Sequence, residues 1–152
     1  MKIKIIDMKK ILFLLLSFTL VGISSCSSDD DKSDVNYVTA KFNGVEIKFN
    51  IISVDKIDYD GYSDIIVTAT TNSDPTKVIT IASEYGVTGQ NEIWGFDYET
   101  TDEYFVQDAA NFTSTLTTNS DGKYIGTFSG SLVEDTNGNV MVLTNGAFNI
   151  AY

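Results

Sequence analysis

The stretch that decides the fold is YVTAKFNGVEIKFN, residues 37–50. Val38, Ala40 and Phe42 alternate with Thr39 and Lys41. After Asn43-Gly44, Val45, Ile47 and Phe49 alternate with Glu46, Lys48 and Asn50. Alternation with period two marks a strand with one buried face. Asn-Gly fits a two-residue type I′ turn, which needs positive φ at both positions. Pairing across that turn sets Phe42 opposite Val45, Ala40 opposite Ile47 and Val38 opposite Phe49, with Lys41 opposite Glu46 on the outer face. Turn and hydrophobic register agree, so the sequence predicts an antiparallel hairpin.

The same pattern runs on towards the C-terminus. The second strand extends towards Ile57, and the polar run Asp58-Tyr59-Asp60-Gly61-Tyr62-Ser63 breaks it. DIIVTATT (64–71) and KVITIAS (77–83) read as two strands around the turn Asn72-Ser73-Asp74-Pro75. Gly86 to Asn91 reads as a loop. In Glu92–Glu99, Trp94, Phe96 and Tyr98 recur at period two and are expected on one face. Tyr104-Phe105-Val106 is a short strand, and Gln107 to Asn111 is the one place where a helical turn is expected. FTSTLTT (112–118) is a strand, and Asn119-Ser120-Asp121-Gly122 turns the chain. In KYIGTFSGSLV (123–133), Tyr124, Gly126, Phe128, Gly130 and Leu132 share a face. Glycines between aromatics point to bends or close packing of the sheet. Asp135 to Asn139 turns again, and Val140–Thr144 and Ala147–Tyr152 lie on either side of Asn145-Gly146. About nine or ten short strands with polar turns and no amphipathic helix mean an all-β antiparallel fold. A β-sandwich of about nine strands is the first expectation, and a closed up-and-down β-barrel is the alternative.

Upstream of the hairpin the chain changes character. Met8-Lys9-Lys10 is basic, Ile11 to Ile23 is a largely apolar run, and Ile23-Ser24-Ser25-Cys26 closes it. A basic start, a short apolar stretch and small residues make a secretory signal peptide. The run is shorter than the roughly 20 residues of a membrane span. Met8 makes a better start than Met1, because Asp7 places an acid before the basic pair. Ile23-Ser24-Ser25-Cys26 resembles a bacterial lipobox. The resemblance implies cleavage before Cys26, acylation of its thiol and a membrane anchor made of fatty chains. Ser27-Ser28-Asp29-Asp30-Asp31-Lys32 resembles the surface-export signal of Bacteroidota-type lipoproteins, which implies an outer-membrane protein at the cell surface. The expected organisation is a signal peptide over 1–25, a lipidated acidic tether over 26–36 and a β-domain over 37–152.

Composition narrows the chemistry. The chain has 152 residues with 21 acids, 10 basic residues and a net charge of −11. The first 25 residues hold four lysines and one aspartate, so the mature chain of 127 residues carries six basic and 20 acidic groups, a net −14. Nucleic-acid binding needs a basic footprint, which is missing. All basic residues are lysines. Without histidine there is no Ser-His-Asp or Cys-His nucleophile pair and no ordinary zinc site. Cys26 is the only cysteine, so no disulfide forms within the chain and the fold stands on packing.

Thr39-Ala40-Lys41-Phe42-Asn43-Gly44, Gly126-Thr127-Phe128 and Thr144-Asn145-Gly146-Ala147-Phe148-Asn149-Ile150-Ala151-Tyr152, together with the lipobox, resemble a family of small Bacteroidota lipoproteins of unknown function. Ile150 stands where that pattern has valine. The resemblance implies a β-rich lipoprotein and carries over no functional residue.

The candidate sites are few. Asp58, Asp60 and Asp64 cluster hard oxygen ligands that suit calcium, as does Asp135-Thr136-Asn137-Gly138-Asn139, but neither loop has the glycine and glutamate of an EF-hand, and polar turn chemistry accounts for both. No cofactor is otherwise expected. Tyr59 and Tyr62 flank a glycine in a loop, and Trp94 and Tyr98 are aromatics able to stack on a sugar, so these four are the ligand-binding candidates. Asp97 with Glu99, or Asp102 with Glu103, are carboxylate pairs of the kind a glycosidase uses, although such a pair is selected by distance in the fold. The expectation is a non-catalytic, membrane-anchored binding module for a glycan or protein partner. A purely structural envelope module and a carboxylate-dependent glycoside hydrolase are the alternatives.

Overall fold

The alternation of residues 37–50 continues around the whole molecule. The computed structural model describes residues 36–152. The expected signal peptide, Cys26 and the Ser27–Lys32 run lie outside the described residues. The strands are β1 Tyr37–Phe42, β2 Val45–Asp58, β3 Ser63–Thr70, β4 Val78–Glu84, β5 Gly89–Gln90, β6 Ile93–Glu99, β7 Tyr104–Gln107, β8 Thr113–Ser120, β9 Lys123–Glu134 and β10 Val140–Ala151. There is no helix among the described residues.

The β1–β2 hairpin has the expected register: Phe42 pairs with Val45, Lys41 with Glu46, Ala40 with Ile47 and Val38 with Phe49. Asn43 and Gly44 both have positive φ, 47° and 84°, as a type I′ turn requires. The buried face is shorter than the register alone suggests. Val38, Ala40, Phe42 and Phe49 are in the core, whereas Val45 is 66% exposed.

All pairings are antiparallel, and the sheet closes on itself. The order β10-β1-β2-β3-β4-β6-β7-β9 returns to β10, a ring of eight strands, with β8 and β5 added beside β9. The fold is therefore all-β and antiparallel as expected, and of the two closures it takes the barrel. The side chains pointing inward are apolar, among them Val38, Phe49, Ile65, Val67, Ile79, Ile81, Phe96, Leu132, Phe148 and Ile150. Eight strands leave an interior just wide enough for side chains to fill. Phe42, Phe49, Tyr98 and Phe105 pack together in tilted and edge-on pairs, with ring centroids 4.8–6.3 Å apart. Phe96, Phe112, Phe128, Phe148 and Tyr124 form a second cluster. The outward positions are a mix of polar residues with exposed apolar ones, among them Val45, Ile52, Trp94 and Val140.

The ring has one irregular seam, and β9 creates it. Its partner β10 covers one edge from Lys123 to Val133. On the other edge β8 takes Lys123 to Ser129, and β7 takes Leu132 to Glu134. The two short strands thus lie end to end along β9. The changeover falls at Gly130, whose φ is +135°. A Cβ there would stand 1.9 Å from Asn111 O, so only glycine lets the Asn111–Phe112 backbone cross over β9.

Four strands carry a bulge that resets the inward alternation. In β2 Ile51 pairs with Ala69 but Ser53 with Thr68, leaving Ile52 extra. In β6 Ala82 pairs with Gly95 but Ser83 with Ile93, leaving Trp94 as the extra residue. In β8 Leu116 pairs with Gly126 but Thr118 with Ile125, leaving Thr117 extra. In β10 the register slips between Leu143 and Gly146. A bulge adds a residue to one strand and moves the residues beyond it to the other face. Several expectations change for this reason. Trp94 does not share a face with Phe96 and Tyr98: it points outward while they point in. Asn119 does not open a turn: β8 continues to Ser120, and Asn119 is buried at 1% exposure. Val140 to Ala151 is one bulged strand where a break at Asn145-Gly146 was expected. Gln107 to Asn111 forms no helical turn. Gln107 ends β7, and Asp108–Asn111 is a tight turn closed by Asn111 N–H donating to Asp108 O at 2.9 Å. The loop 86–91 contains the short strand β5, paired with β8.

Candidate functional site

The surface is concave at the seam, and a smaller hollow of about 410 Å³ lies between β2 and the β3–β4 turn. β6 and β8 approach each other at the seam without a regular ladder, and side chains make the join. Asn91 N–H donates to Ser114 O at 2.8 Å, and Ser114 N–H donates back to Asn91 Oδ1 at 3.2 Å. Ile93 N–H donates to Ser114 Oγ at 3.2 Å. Ser114 is the inward residue at this point of β8 and is 5% exposed. Its hydroxyl satisfies a backbone donor that an apolar residue would leave unpaired.

Outside this join lies a groove of about 640 Å³. Gln90 and Asn91 form one wall, and Thr113 and Thr115 of β8 continue it. Thr127 and Ser129 of β9 lie beneath, and Asn145, Gly146 and Ala147 of β10 make the far wall. The register explains the convergence: Gln90 pairs with Thr115, Thr115 with Thr127 and Thr127 with Ala147, so one row crosses four strands. The β10 bulge turns the wall. Asn145 sits there in the left-handed region, φ 54°, which asparagine tolerates well.

The groove has no charged residue in its lining, in a chain with 31 charged side chains. Its polar groups are hydroxyls and amides. Thr113 is engaged with Ser129, its Oγ1 3.2 Å from Ser129 Oγ. The side chains of Gln90, Thr115, Thr127 and Asn145 make no hydrogen bond within the described residues, which leaves donors and acceptors on three walls for another molecule. Trp94 is outside this lining. It follows Ile93, which is bonded to Ser114, and its bulge directs it outward, 55% exposed. Gln107 Nε2 donates to Trp94 O at 3.0 Å and fixes that backbone.

The other sequence candidates are separated from the groove or from each other. Tyr98 is 4% exposed and packs on Phe42 and Phe105 inside the barrel, so it is a core residue and no ligand platform. Burial pushes its hydroxyl above the usual tyrosine range, with the charges of Asp74 and Glu103 adding to the shift. Tyr59 and Tyr62 sit at the tip of the β2–β3 hairpin, half exposed, with centroids 4.9 Å apart and planes 19° from parallel. Each ring covers one face of the other.

The calcium candidates are engaged in turns. Asp58 accepts from Ser63 Oγ at 2.6 Å and pairs with Lys56 Nζ at 3.2 Å. The Ser63 hydrogen bond, then Lys56, holds its carboxyl below the usual range. Asp64 lies in β3 and is 9% exposed, whereas Asp60 is exposed. In the β9–β10 turn the buried Glu134 accepts from Asn137 Nδ2 at 2.9 Å and Asn139 Nδ2 at 2.5 Å, so its carboxylate closes that loop. Among the described residues no three metal-ligating side chains converge. Of the carboxylate pairs, Asp97 is partly buried, and burial pushes its carboxyl above the usual range while the Tyr104 hydroxyl partly offsets it. Glu103 closes the turn with Thr100, whose N–H donates to Glu103 O at 2.9 Å.

The sequence reading missed Gln90, Thr115, Thr127 and Asn145. Each is an ordinary strand or turn residue on its own, and only the row across four strands brings them together. Comparison with protein-family models, curated proteins and solved structures finds no match to this chain.

Proposed function

We propose that this chain is a lipid-anchored, non-catalytic binding module displayed at the outer surface of a bacterial cell. Cys26 carries the anchor, Ser27 to Lys32 act as export address and tether, and the barrel presents its seam groove to a glycan or protein partner. The kinship to small Bacteroidota lipoproteins belongs to the same proposal. The observation that carries the binding reading is the groove itself: an uncharged concave surface with unengaged hydroxyls and amides on a strongly acidic protein. A site with few placed polar groups on a rigid scaffold orients a ligand without reacting with it. A mature chain with Cys26→Ser stays unacylated and serves for screening against envelope glycans and surface proteins. Filling the groove with Thr127→Phe is expected to abolish capture while leaving the melting temperature unchanged. Capture that survives Thr127→Phe contradicts the assignment of the groove.

A further inference from the structure

We infer that the seam groove takes a neutral oligosaccharide, with Trp94 as its stacking platform and Gln90, Thr115, Thr127 and Asn145 as its hydroxyl and amide contacts. The inference rests on the groove being the binding site and goes further by naming the ligand class. Three observations carry it. First, the lining is free of charge although the chain carries 21 acids. The surrounding negative field repels an anionic ligand, and a cationic one finds no carboxylate in the groove to pair with. Second, the four named side chains have no partner within the described residues, and each can both donate and accept. That pairing of donor and acceptor at every position matches a chain of sugar hydroxyls and suits an apolar ligand poorly. Third, a large apolar ring stands outward on β6, three residues along the chain from Asn91 of the lining, because the β6 bulge turns it out. Bulges recur where a side chain is re-aimed next to a site. Its neighbour Ile93 donates to Ser114 Oγ at 3.2 Å, which holds the start of β6 beside β8, the strand that carries Thr115.

Trp94 is the only tryptophan of the chain, so its fluorescence reports on this place alone. The mature chain with Cys26→Ser is titrated with cellohexaose, maltoheptaose, xylohexaose and mannohexaose, and with hexagalacturonate as the anionic counterpart, up to about 10 mM to cover weak affinities. The expected result is a saturable blue shift with at least one neutral sugar and none with hexagalacturonate. Thr115→Val with Thr127→Val, which keeps the shape and removes two hydroxyls, weakens that sugar about tenfold or more. No saturable change with any neutral sugar overturns the inference, as does an equal response to hexagalacturonate or an affinity untouched by the double valine variant. The binding-module reading fails separately, when capture of partners survives Thr127→Phe. A groove that captures a protein and ignores every sugar overturns the ligand class alone.

Discussion

Asn119 and Tyr124 stand directly opposite each other on β8 and β9, and both are buried in the barrel. Two polar side chains thus face one another where apolar neighbours surround them. The Asn119 amide donates to Glu84 O at 2.7 Å, Val87 O at 3.1 Å and Ser83 Oγ at 3.3 Å. It ties β8 to the end of β4 and to the loop that leads into β5. It therefore anchors the strand that forms one wall of the groove. The Thr117 bulge is what brings it inside.

Replacing Asn119 with leucine removes the donor to two part-buried carbonyls, of which Glu84 O keeps the Val87 N–H at 3.3 Å and Val87 O loses its partner. An unpaired group costs about 1–3 kcal/mol. Asn119→Leu is expected to lower stability in urea by about 1–3 kcal/mol. A loss of under about 0.5 kcal/mol, the size of a surface substitution, contradicts the anchoring role.

Tyr124 sets an alkaline limit. Burial pushes its hydroxyl far above the ordinary value of 10.0, with Ser83 partly offsetting it. A raised folded value means the neutral form is favoured by folding. The stability linked to it is complete below about pH 10 and is lost as pH rises through the folded value. Wild type is expected to lose stability more steeply above pH 10 than Tyr124→Phe, while the two differ by no more than about 1 kcal/mol at pH 7. Parallel pH curves refute this.

Two positive-φ glycines, Gly44 and Gly130, separate backbone strain from crowding. A Cβ at Gly44 meets nothing within 4 Å, so Gly44→Val is expected to cost about 1–3 kcal/mol from conformation alone. At Gly130 a Cβ collides with Asn111 O and Phe112 Cα as well. Gly130→Ala is expected to cost more than Gly44→Val, although alanine is the smaller residue. The reverse order in chemical denaturation contradicts the crossing at Gly130.

The proposed anchor and the proposed address are separable by mutation. Cys26→Ala is expected to release the chain from membranes. Converting Asp29, Asp30 and Asp31 to alanine is expected to keep it membrane-bound and shield it from protease added to intact cells. Protease access equal to wild type leaves the acidic run as a tether only.

Local signals in the sequence carried the fold a long way. Asn43-Gly44 fixed a turn, the apolar alternation fixed its register, and the glycines of β9 pointed to the close packing found at Gly126 and Gly130. The closure was not legible. It depends on β9 sharing one edge between β7 and β8, and edge sharing leaves no local pattern. Bulges hid the rest. A strict period of two put Trp94 on one face with Phe96 and Tyr98, and the polar run Asn119-Ser120-Asp121-Gly122 read as a turn, whereas one extra residue changes the face without changing the composition. The groove was least legible of all, since its row joins residues from Gln90 to Ala147 whose only common property is lacking charge.

Amide shift mapping by NMR tests the central claim, that the seam groove is the binding surface, most directly. The ligand is the partner retained in the screen, and the chain is the Cys26→Ser mature form. The account expects the largest shifts at Gln90, Trp94, Thr115, Thr127 and Asn145, with Asn43, Asn72 and Asp102, in turns outside the groove lining, unmoved. Shifts confined to the Tyr59–Tyr62 hairpin tip contradict it.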